Sequence, residues 1–250
     1  MTSGRVAPSV VIDAFATSAR RHQGRAIVAI DVIRATTLAI TAIADGRRCL
    51  VARDVDDALA IREELGDALL VGEIAGDRPE PFDMNNSPAQ LAERTDVDRP
   101  VVMVSSSGAG LMLEAERWGA AAYVACLRNV SASAAHLIEH EASVALIGAG
   151  SRGEFREEDQ LCCGWIGARL VDAGFTADER TRSIIDRWRD ASVLDAEVSN
   201  SVQYLRQSGQ VRDFEFTASH IDDLDLVAAM RGNDVERVHS DIAAGVNGRA

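Results

Sequence analysis

Short apolar runs alternate with amphipathic stretches along most of the chain, and each apolar run ends in glycine or in polar residues. This alternation predicts buried strands that are followed by helices. The predicted strands are 26–30, 48–52, 69–71, 101–104, 123–127 and 144–147. The predicted helices are about 37–44, 55–65, 88–94, 108–118 and 131–142, with a further helix that ends near Gly174. Beyond Thr176 the chain is predicted to be helical and charged, with late strands at 213–216 and 224–230.

Strands that alternate with helices indicate an α/β fold, in which a mostly parallel sheet lies between two layers of helices. We expect a single domain over residues 1–250, and any division into two lobes would fall at about residues 120–175. In a parallel sheet the loops after the strands gather along one edge. Several polar or glycine residues follow strands directly and are expected to meet there: Asp31, Glu73, Ser105 to Ser107, Asn129 and 148–150.

Charge narrows the range of partners. The 250 residues include 26 basic and 39 acidic side chains, a net charge of −13, and every basic residue is arginine. Net acidity without a basic tract argues against nucleic acid or an anionic membrane surface as a partner. The lack of lysine excludes a P-loop lysine and Schiff-base chemistry. Arginine, backbone N–H groups and helix N-termini are left to bind anions.

Cysteine spacing and hydropathy favour a cytoplasmic protein. The spacing of the four cysteines matches neither a zinc site nor a thioredoxin motif, so we expect them to pack in the core: Cys49, Cys126, Cys162 and Cys163. Charged residues interrupt the first 25 positions, which argues against a signal peptide. No apolar run reaches the length of about 18 residues that a membrane span needs.

Residues 31–37 combine a carboxylate at a strand end, an arginine in a turn and two hydroxyls at the start of a helix. Arg34, Thr36, Thr37 and the free N–H groups of the helix could bind a phosphate. Asp31 could bind Mg²⁺, which commonly bridges one or two carboxylates to a substrate phosphate. Other acidic residues could supply further oxygens: Glu73, Asp83, Glu158 and Asp159. The alternative interpretation is that Asp31 and Thr36 only cap the helix.

This segment resembles the opening motif of the 2-phosphosulfolactate phosphatase family. Later segments agree with that family in order and approximate spacing: Gly72-Glu73, Phe82-Asp83, Asn86-Ser87-Pro88, 105–108, Asn129, 148–150 and Glu158-Asp159. The resemblance extends over about residues 10–230. It implies an α/β/α fold and a Mg²⁺-dependent phosphatase that acts on 2-phospho-3-sulfolactate, in a step towards coenzyme M.

The chain departs from the family pattern in two loops. Asn85 stands where the family has glycine, and Ser-Ser-Ser-Gly-Ala at 105–109 stands where the family has Thr-Thr-Asn-Gly-Thr. Both changes alter loop conformation and the number of hydrogen-bond donors. A related 2-phospho acid is therefore a second candidate substrate.

The residues and the resemblance together define a predicted site. The catalytic residues are predicted to be Asp31, Arg34 and Glu73. The predicted substrate ligands are Thr36, Thr37, Asn86, Ser87, Ser105, Ser106, Ser107, Gly108, Arg128, Asn129 and Gly150. The predicted metal ligands are Asp31, Glu73, Asp83, Glu158 and Asp159. We expect a small anionic phosphorylated substrate, an attack on phosphorus by either Asp31 or metal-activated water, and a homodimer.

Two other classes of function stay open. The same scaffold could bind a small anion without hydrolysing it. Alternatively, Gly148, Gly150 and Gly153 form a G-x-G-x-x-G motif after a strand, which is typical of NAD-binding oxidoreductases. The acidic residues that follow at 154–159 would repel a pyrophosphate at that position.

Two weaker motifs are typical of other enzyme classes. Residues 136–140 read H-x-x-E-H, the inverted zinc-protease motif, although two surface histidines near a helix C-terminus are the expected interpretation. A haloacid-dehalogenase-type phosphatase would carry a second aspartate where this chain has Ile33.

Overall fold

The computed structural model describes residues 7–239, so the predicted domain limits at residues 1 and 250 lie outside the described residues. Within that range the strands are β1 (Ser9–Ala14), β2 (Ala26–Ile30), β3 (Cys49–Val51), β4 (Leu69–Gly72), β5 (Val101–Val104), β6 (Ala121–Ala125), β7 (Ser143–Gly148), β8 (Thr176–Ala177), β9 (Ala228–Arg231) and β10 (Asp234–Arg237). The helices are α1 (Ala35–Ala44), α2 (Val55–Leu65), α3 (Pro88–Ala92), α4 (Gly108–Trp118), α5 (Val130–His140), α6 (Glu157–Asp172), α7 (Glu179–Trp188), α8 (Asn200–Gln207) and α9 (Val211–Ser219). Short 3₁₀ helices are Ala16–His22, Leu127–Asn129 and Val193–Ala196.

Most of the predicted elements are confirmed, and the differences have local causes. The strand predicted at 213–216 is wrong, because these residues form the first part of α9. The alternation of polar and aromatic residues there imitates a strand, whereas the buried positions Asp213, Phe214 and Thr217 follow one face of a helix. The strand predicted at 224–230 begins only at Ala228, and β1 was not predicted.

All ten strands of the described range form one sheet, in the order β4-β5-β3-β10-β9-β6-β2-β7-β1-β8. Strands β4, β5 and β3 form one parallel block, and β6, β2, β7, β1 and β8 form a second. The hairpin of β9 and β10 pairs antiparallel with both blocks and joins them, so the two blocks run in opposite directions. The sheet is therefore parallel within each block and mixed only at the hairpin.

The reversal changes how the predicted site residues can meet. The carboxyl ends of β5 and β2 do not share one straight edge, contrary to the expectation from a parallel sheet. Neighbouring strands rotate by about 20–25°, so the five strand pairs between β5 and β2 rotate the direction by about 100–125°. A twist of this size would turn the loops after the two strands towards each other. The loops do meet, since a Cβ on Gly108 would lie 2.3 Å from the Asp31 carboxylate.

Apolar side chains cover both faces of the sheet. Along β2, Ile27 and Ala29 belong to the cluster on one face, and Val28 and Ile30 belong to the cluster on the other. This burial on both faces confirms the three-layer α/β/α arrangement. All four cysteines are buried and free, as expected for core packing. Among residues 7–239, no helix is both long and apolar enough to cross a membrane.

Candidate functional site

A cavity of about 690 Å³ lies between the loops that follow β2, β4, β5 and β7, with α8 as a further wall. Ten of the predicted site residues line it: Asp31, Arg34, Glu73, Asn86, Ser105, Ser106, Ser107, Gly150, Glu158 and Asp159. The prediction that strand ends meet is therefore confirmed for β2, β4, β5 and β7, whereas Asn129, after β6, does not line the cavity. The remaining predicted residues lie elsewhere, and each has an identifiable structural contact.

The turn before α1 places Asp31 in the cavity wall. Thr36 Oγ1 donates to the Asp31 carbonyl at 2.8 Å and accepts from its N–H at 3.0 Å. Thr37 Oγ1 donates to the carbonyl of Val32 at 2.7 Å. Both threonines are fully buried and neither lines the cavity. Their hydroxyls bind the backbone and shape this turn, so the structure does not place them as substrate ligands.

Three carboxylates lie close together on the side of the cavity formed by α1 and α6. Asp159 accepts hydrogen bonds from the N–H groups of Val32 (2.9 Å) and Gly150 (3.1 Å). Glu158 Oε2 is buried and has no hydrogen-bond partner among the described residues. The first turn of α6 thus brings two acidic side chains next to Asp31.

Burial and mutual repulsion make this cluster costly to ionise. Burial, together with the charges of Glu73 and Glu158, raises the pKa of Asp31 to about 7. Burial and the charges of Asp31 and Glu158 raise the pKa of Asp159 well above its usual value. Burial also raises the pKa of Glu158, although the hydroxyls of Ser199 and Ser201 and the charge of Arg156 act in the opposite direction. A cation in the cavity would relieve this repulsion.

Glu73 joins two loops of the opposite wall. It accepts hydrogen bonds from Ser105 Oγ (3.1 Å), Ser106 N (2.7 Å), Ser106 Oγ (3.0 Å) and Gly76 N (2.6 Å). These four bonds use the four acceptor sites of an ionised carboxylate. Glu73 therefore orders the serine loop, and as a metal ligand it would have to give up one of these bonds.

Asp83, another predicted metal ligand, is exposed and does not line the cavity. Its carboxylate accepts from the N–H of Leu70 at 2.8 Å, on the free edge of β4. The N–H of Asp83 also donates to the Leu70 carbonyl at 2.9 Å. Asp83 therefore covers an edge strand, a position that the sequence motif does not distinguish from a site.

Among the described residues, no group of three or more histidine, cysteine, aspartate or glutamate side chains is arranged as a metal site. Mg²⁺ needs less than such a group, because it keeps several waters and commonly binds through one or two carboxylates. Asp31 and Glu158 fit that requirement, since both are buried in the cavity wall and no described residue donates a hydrogen bond to Glu158 Oε2.

Of the two arginines that were predicted to belong to the site, Arg34 is the one that lines the cavity. It is 5% exposed, forms an ion pair with Asp213 at 2.8 Å, and donates to Asn85 Oδ1 at 3.0 Å. Asn86 lies beside it with its Oδ1 buried and unpartnered among residues 7–239. This wall therefore combines a guanidinium with an amide oxygen that has no hydrogen-bond partner in the described part of the chain.

Arg128 and Asn129, which were predicted to bind substrate, do not line the cavity. Arg128 donates to both oxygens of Asp223 (3.1 and 2.7 Å) and to Thr41 Oγ1 (3.0 Å). Asn129 accepts from the N–H of Cys126 at 2.9 Å and donates to the carbonyl of Leu226 at 3.1 Å. Protein partners satisfy both side chains, which hold the end of β6 against the segment before β9.

Ser87 and Gly108 also have structural positions, since neither lines the cavity. Ser87 Oγ accepts from the N–H of Gln90 at 3.1 Å, so it caps α3, and it donates to Asp213 Oδ1. Gly108 lies against Asp31, where a side chain would overlap the carboxylate. Its part in the site is to let α4 begin close to that carboxylate.

Sequence reasoning missed the wall that the last third of the chain supplies. The polar cavity residues that were not predicted are Asn200, Ser201, Gln203, Tyr204 and Gln207 on α8, with Ser151, Arg152, Glu154 and Arg156 from the loop before α6. Arg156 pairs with Glu154. The residues of α8 do not follow a strand. They could therefore not be predicted from the expectation that residues directly after strands gather at one edge of the sheet.

The structure gives no support to the dinucleotide interpretation. A Cβ on Gly148 would lie 2.3 Å from the ring of Phe155, so the space beside this glycine is filled. The N–H of Gly150 is bound to the Asp159 carboxylate, where a pyrophosphate oxygen would have to bind. Protein carboxylates thus take the place that a dinucleotide phosphate needs.

The H-x-x-E-H histidines lie on α5, away from the cavity. His136 Nε2 is 3.1 Å from Tyr123 Oη, which donates to Glu141 Oε1 at 2.8 Å. Glu139 and His140 are exposed and 3.8 Å apart. These contacts are those of a helix surface.

Comparison with known proteins identifies a family. A family model described as 2-phosphosulpholactate phosphatase matches residues 10–233. A protein of Pseudothermotoga lettingae named "Probable 2-phosphosulfolactate phosphatase" is 32% identical over 199 residues, which cover 78% of this chain and 84% of that protein. Proteins with the same name are 29% identical over 210 residues in Clostridium beijerinckii (80% and 82% covered) and 33% identical over 164 residues in Deinococcus radiodurans (64% and 68% covered).

Proposed function

This chain belongs to the 2-phosphosulpholactate phosphatase family, and we propose that it is a phosphoric monoester hydrolase. Its substrate would be 2-phospho-3-sulfolactate or a related 2-phospho acid, and its products the 2-hydroxy acid and phosphate. The names of its relatives and the chemistry of the cavity support this proposal.

One observation carries the proposal. In a single cavity, the buried carboxylates of Asp31 and Glu158 lie with a buried arginine, Arg34, and with polar groups that lack protein partners. Such a wall is costly to keep empty, because buried polar groups are normally paired. A phosphorylated acid and a cation would pair both kinds of group at once.

The arginine, the polar side chains and the carboxylate at the cavity would have different roles. Arg34 would donate to phosphoryl oxygens, whose charge is spread during transfer. The Nδ2 group of Asn86 and the hydroxyl of Ser107 would donate to the acidic groups of the substrate. The hydroxyl protons of Ser105 and Ser106 are already donated to Glu73. Asp31 would face the phosphorus from the side of α1, held by the turn that Thr36 closes.

Mg²⁺ is part of the proposal, with Asp31 and Glu158 as the residues that would hold it. When bound, it would neutralise charge on the phosphoryl oxygens. Without a cation, the carboxylates that line the cavity outnumber the arginines, and a substrate with several negative charges would be repelled: Asp31, Glu73, Glu154, Glu158 and Asp159 against Arg34, Arg152 and Arg156. The coenzyme M step, the cytoplasmic location and the homodimer stay predictions.

The test is phosphate release from a panel of 2-phospho acids, measured with Mg²⁺ and again after chelation. We expect release that depends on Mg²⁺ and is fastest with 2-phospho-3-sulfolactate. Arg128→Ala serves as a control variant, because Arg128 lies outside the cavity. Binding of these acids without release of phosphate from any of them would favour the small-anion binding protein instead.

A further inference from the structure

Three residues that are distant in the sequence hold the guanidinium of Arg34. Its Nη1 donates to Asp213 Oδ2 at 2.8 Å and to Gln210 Oε1, and its Nη2 donates to Asn85 Oδ1 at 3.0 Å. We call Asp213, Gln210 and Asn85 the Arg34 clamp. Asp213 and Gln210 lie at the start of α9, 179 and 176 residues from Arg34.

Asp213 is 2% exposed, so this is a buried ion pair. Its second oxygen accepts from the Ser87 hydroxyl and, at 3.4 Å, from the N–H of Ala89. Donors on both oxygens fix the orientation of the carboxylate and, through it, that of the guanidinium. Asp213 does not line the cavity, whereas Arg34 does. Asp213 can therefore act on the cavity only through its partner.

The clamp uses only part of the guanidinium. Of the five N–H groups of an arginine, Nη1 contributes two to the clamp and Nη2 contributes one. The N–H of Nε and the second N–H of Nη2 make no hydrogen bond to residues 7–239, and Nε is not a buried unsatisfied atom. Two such donors suit two oxygens of one oxyanion.

We propose that Asp213 is a positioning residue, which holds Arg34 so that its two free N–H donors face the cavity and bind a phosphate or carboxylate group. Gln210 and Asn85 complete the restraint. An arginine that is already held loses less side-chain freedom when the anion binds. The identity of the substrate rests on the proposed function, but the binding of an oxyanion by the held arginine does not require turnover.

The test is a double-mutant cycle of Asp213→Asn in the native and in the Arg34→Ala background. Asparagine keeps the shape of the side chain but removes its charge and replaces one acceptor oxygen with a donor. In the native background we expect kcat/KM for 2-phospho-3-sulfolactate to fall about tenfold, mainly through KM. In the Arg34→Ala background the same substitution should change kcat/KM less than about twofold.

A matched control comes from the second aspartate–arginine pair. Asp223→Asn makes the same substitution beside Arg128, outside the cavity. It should lower the melting temperature and leave kcat/KM and the affinity for inorganic phosphate unchanged. Asp213→Asn should weaken that phosphate affinity, measured by calorimetry in the presence of Mg²⁺, by about tenfold.

Milder variants keep the test decisive if Asp213→Asn does not fold. Gln210→Ala and Asn85→Ala each remove one clamp contact from a half-buried side chain, and each should weaken phosphate binding about threefold. Equal losses in the native and Arg34→Ala backgrounds would overturn the inference, as would unchanged phosphate affinity in every clamp variant. If the native protein hydrolyses no 2-phospho acid, the proposed function fails, while the phosphate affinities still decide the clamp.

Discussion

The loops after β2 and β6 look alike in the sequence and differ in the structure. Each carries an arginine shortly after a buried strand, and each was predicted to bind substrate. Arg34 reaches the cavity with part of its guanidinium free, whereas Arg128 donates to both oxygens of Asp223 and to Thr41. Of these two arginines, the one at the cavity is the one whose N–H donors are not all bound by residues 7–239. Position after a strand is not sufficient.

The largest predicted effect is that of Asp31→Asn, a substitution in the loop after β2. Asp31 is the buried carboxylate that the proposal places against the phosphorus and the cation. We expect phosphate release to fall by at least about 10³-fold, the equivalent of several kcal/mol of transition-state stabilisation. The melting temperature of the metal-free protein should not fall, since the variant removes a buried charge. A variant with native turnover would remove Asp31 from the site.

The two arginines give the next largest difference. Arg34→Ala should lower kcat/KM about 10²–10³-fold, because it removes a donor to both the bound substrate and the transition state. Arg128→Ala should keep kcat within about twofold and lower the free energy of unfolding by about 1.5–3 kcal/mol, because it removes charged hydrogen bonds. Steady-state kinetics and denaturant unfolding of both variants make the comparison. If Arg128→Ala loses activity while keeping its stability, the contrast between the two loops is wrong.

The two loops should also respond to pH in opposite directions. Burial and the charges of Glu73 and Glu158 raise the pKa of Asp31 to about 7, so the folded protein binds this proton more tightly than the unfolded chain. In the metal-free protein, the free energy of unfolding should therefore fall as pH rises from about 4 to about 7. Denaturant unfolding across this pH range should show that the free energy of unfolding falls less in Asp31→Asn than in the native protein.

At the other loop, burial raises the pKa of Asp223, but the hydrogen bond and charge of Arg128 outweigh this, and the pKa lies below its usual value. The stability that Asp223 contributes is therefore present above about pH 4 and is lost as the pH falls further. Arg128→Ala should remove this acid-dependent part from the unfolding curve. If the loss of stability at acid pH is unchanged in Arg128→Ala, Arg128 is not the cause of the lowered pKa of Asp223.

The smallest predicted effect separates two asparagines. Asn86 has an unpartnered oxygen at the cavity, and Asn86→Ala should lower kcat/KM about 3- to 10-fold with little change in stability. Asn129 binds backbone groups on both sides, and Asn129→Ala should cost about 1–3 kcal/mol of stability for each group left unpaired. Thermal unfolding and initial rates of both variants test the pair. Equal changes in both would mean that unpartnered atoms do not identify the site.

Much of the fold follows from local patterns. The helix 55–65 and the strand 101–104 agree with the structure to the residue, because the spacing of apolar positions depends on near neighbours in the sequence. The clustering of Asp31, Glu73 and Ser105 could also be anticipated, since each directly follows a strand. The α9 segment was misassigned where a polar–aromatic alternation imitated a strand.

The sequence alone determined the elements, the excess of acid over base and the family motifs. The tertiary structure decided that a hairpin from residues 228–237 reverses one block of the sheet, and that Asp213 binds Arg34 from 179 residues away. It also decided which predicted site residues form hydrogen bonds within the protein instead of lining the cavity: Thr36, Thr37, Arg128 and Asn129. The physical reason is that the periodicity of an element is set within a few residues. The pairing of a polar atom is set by whatever distant segment packs against it.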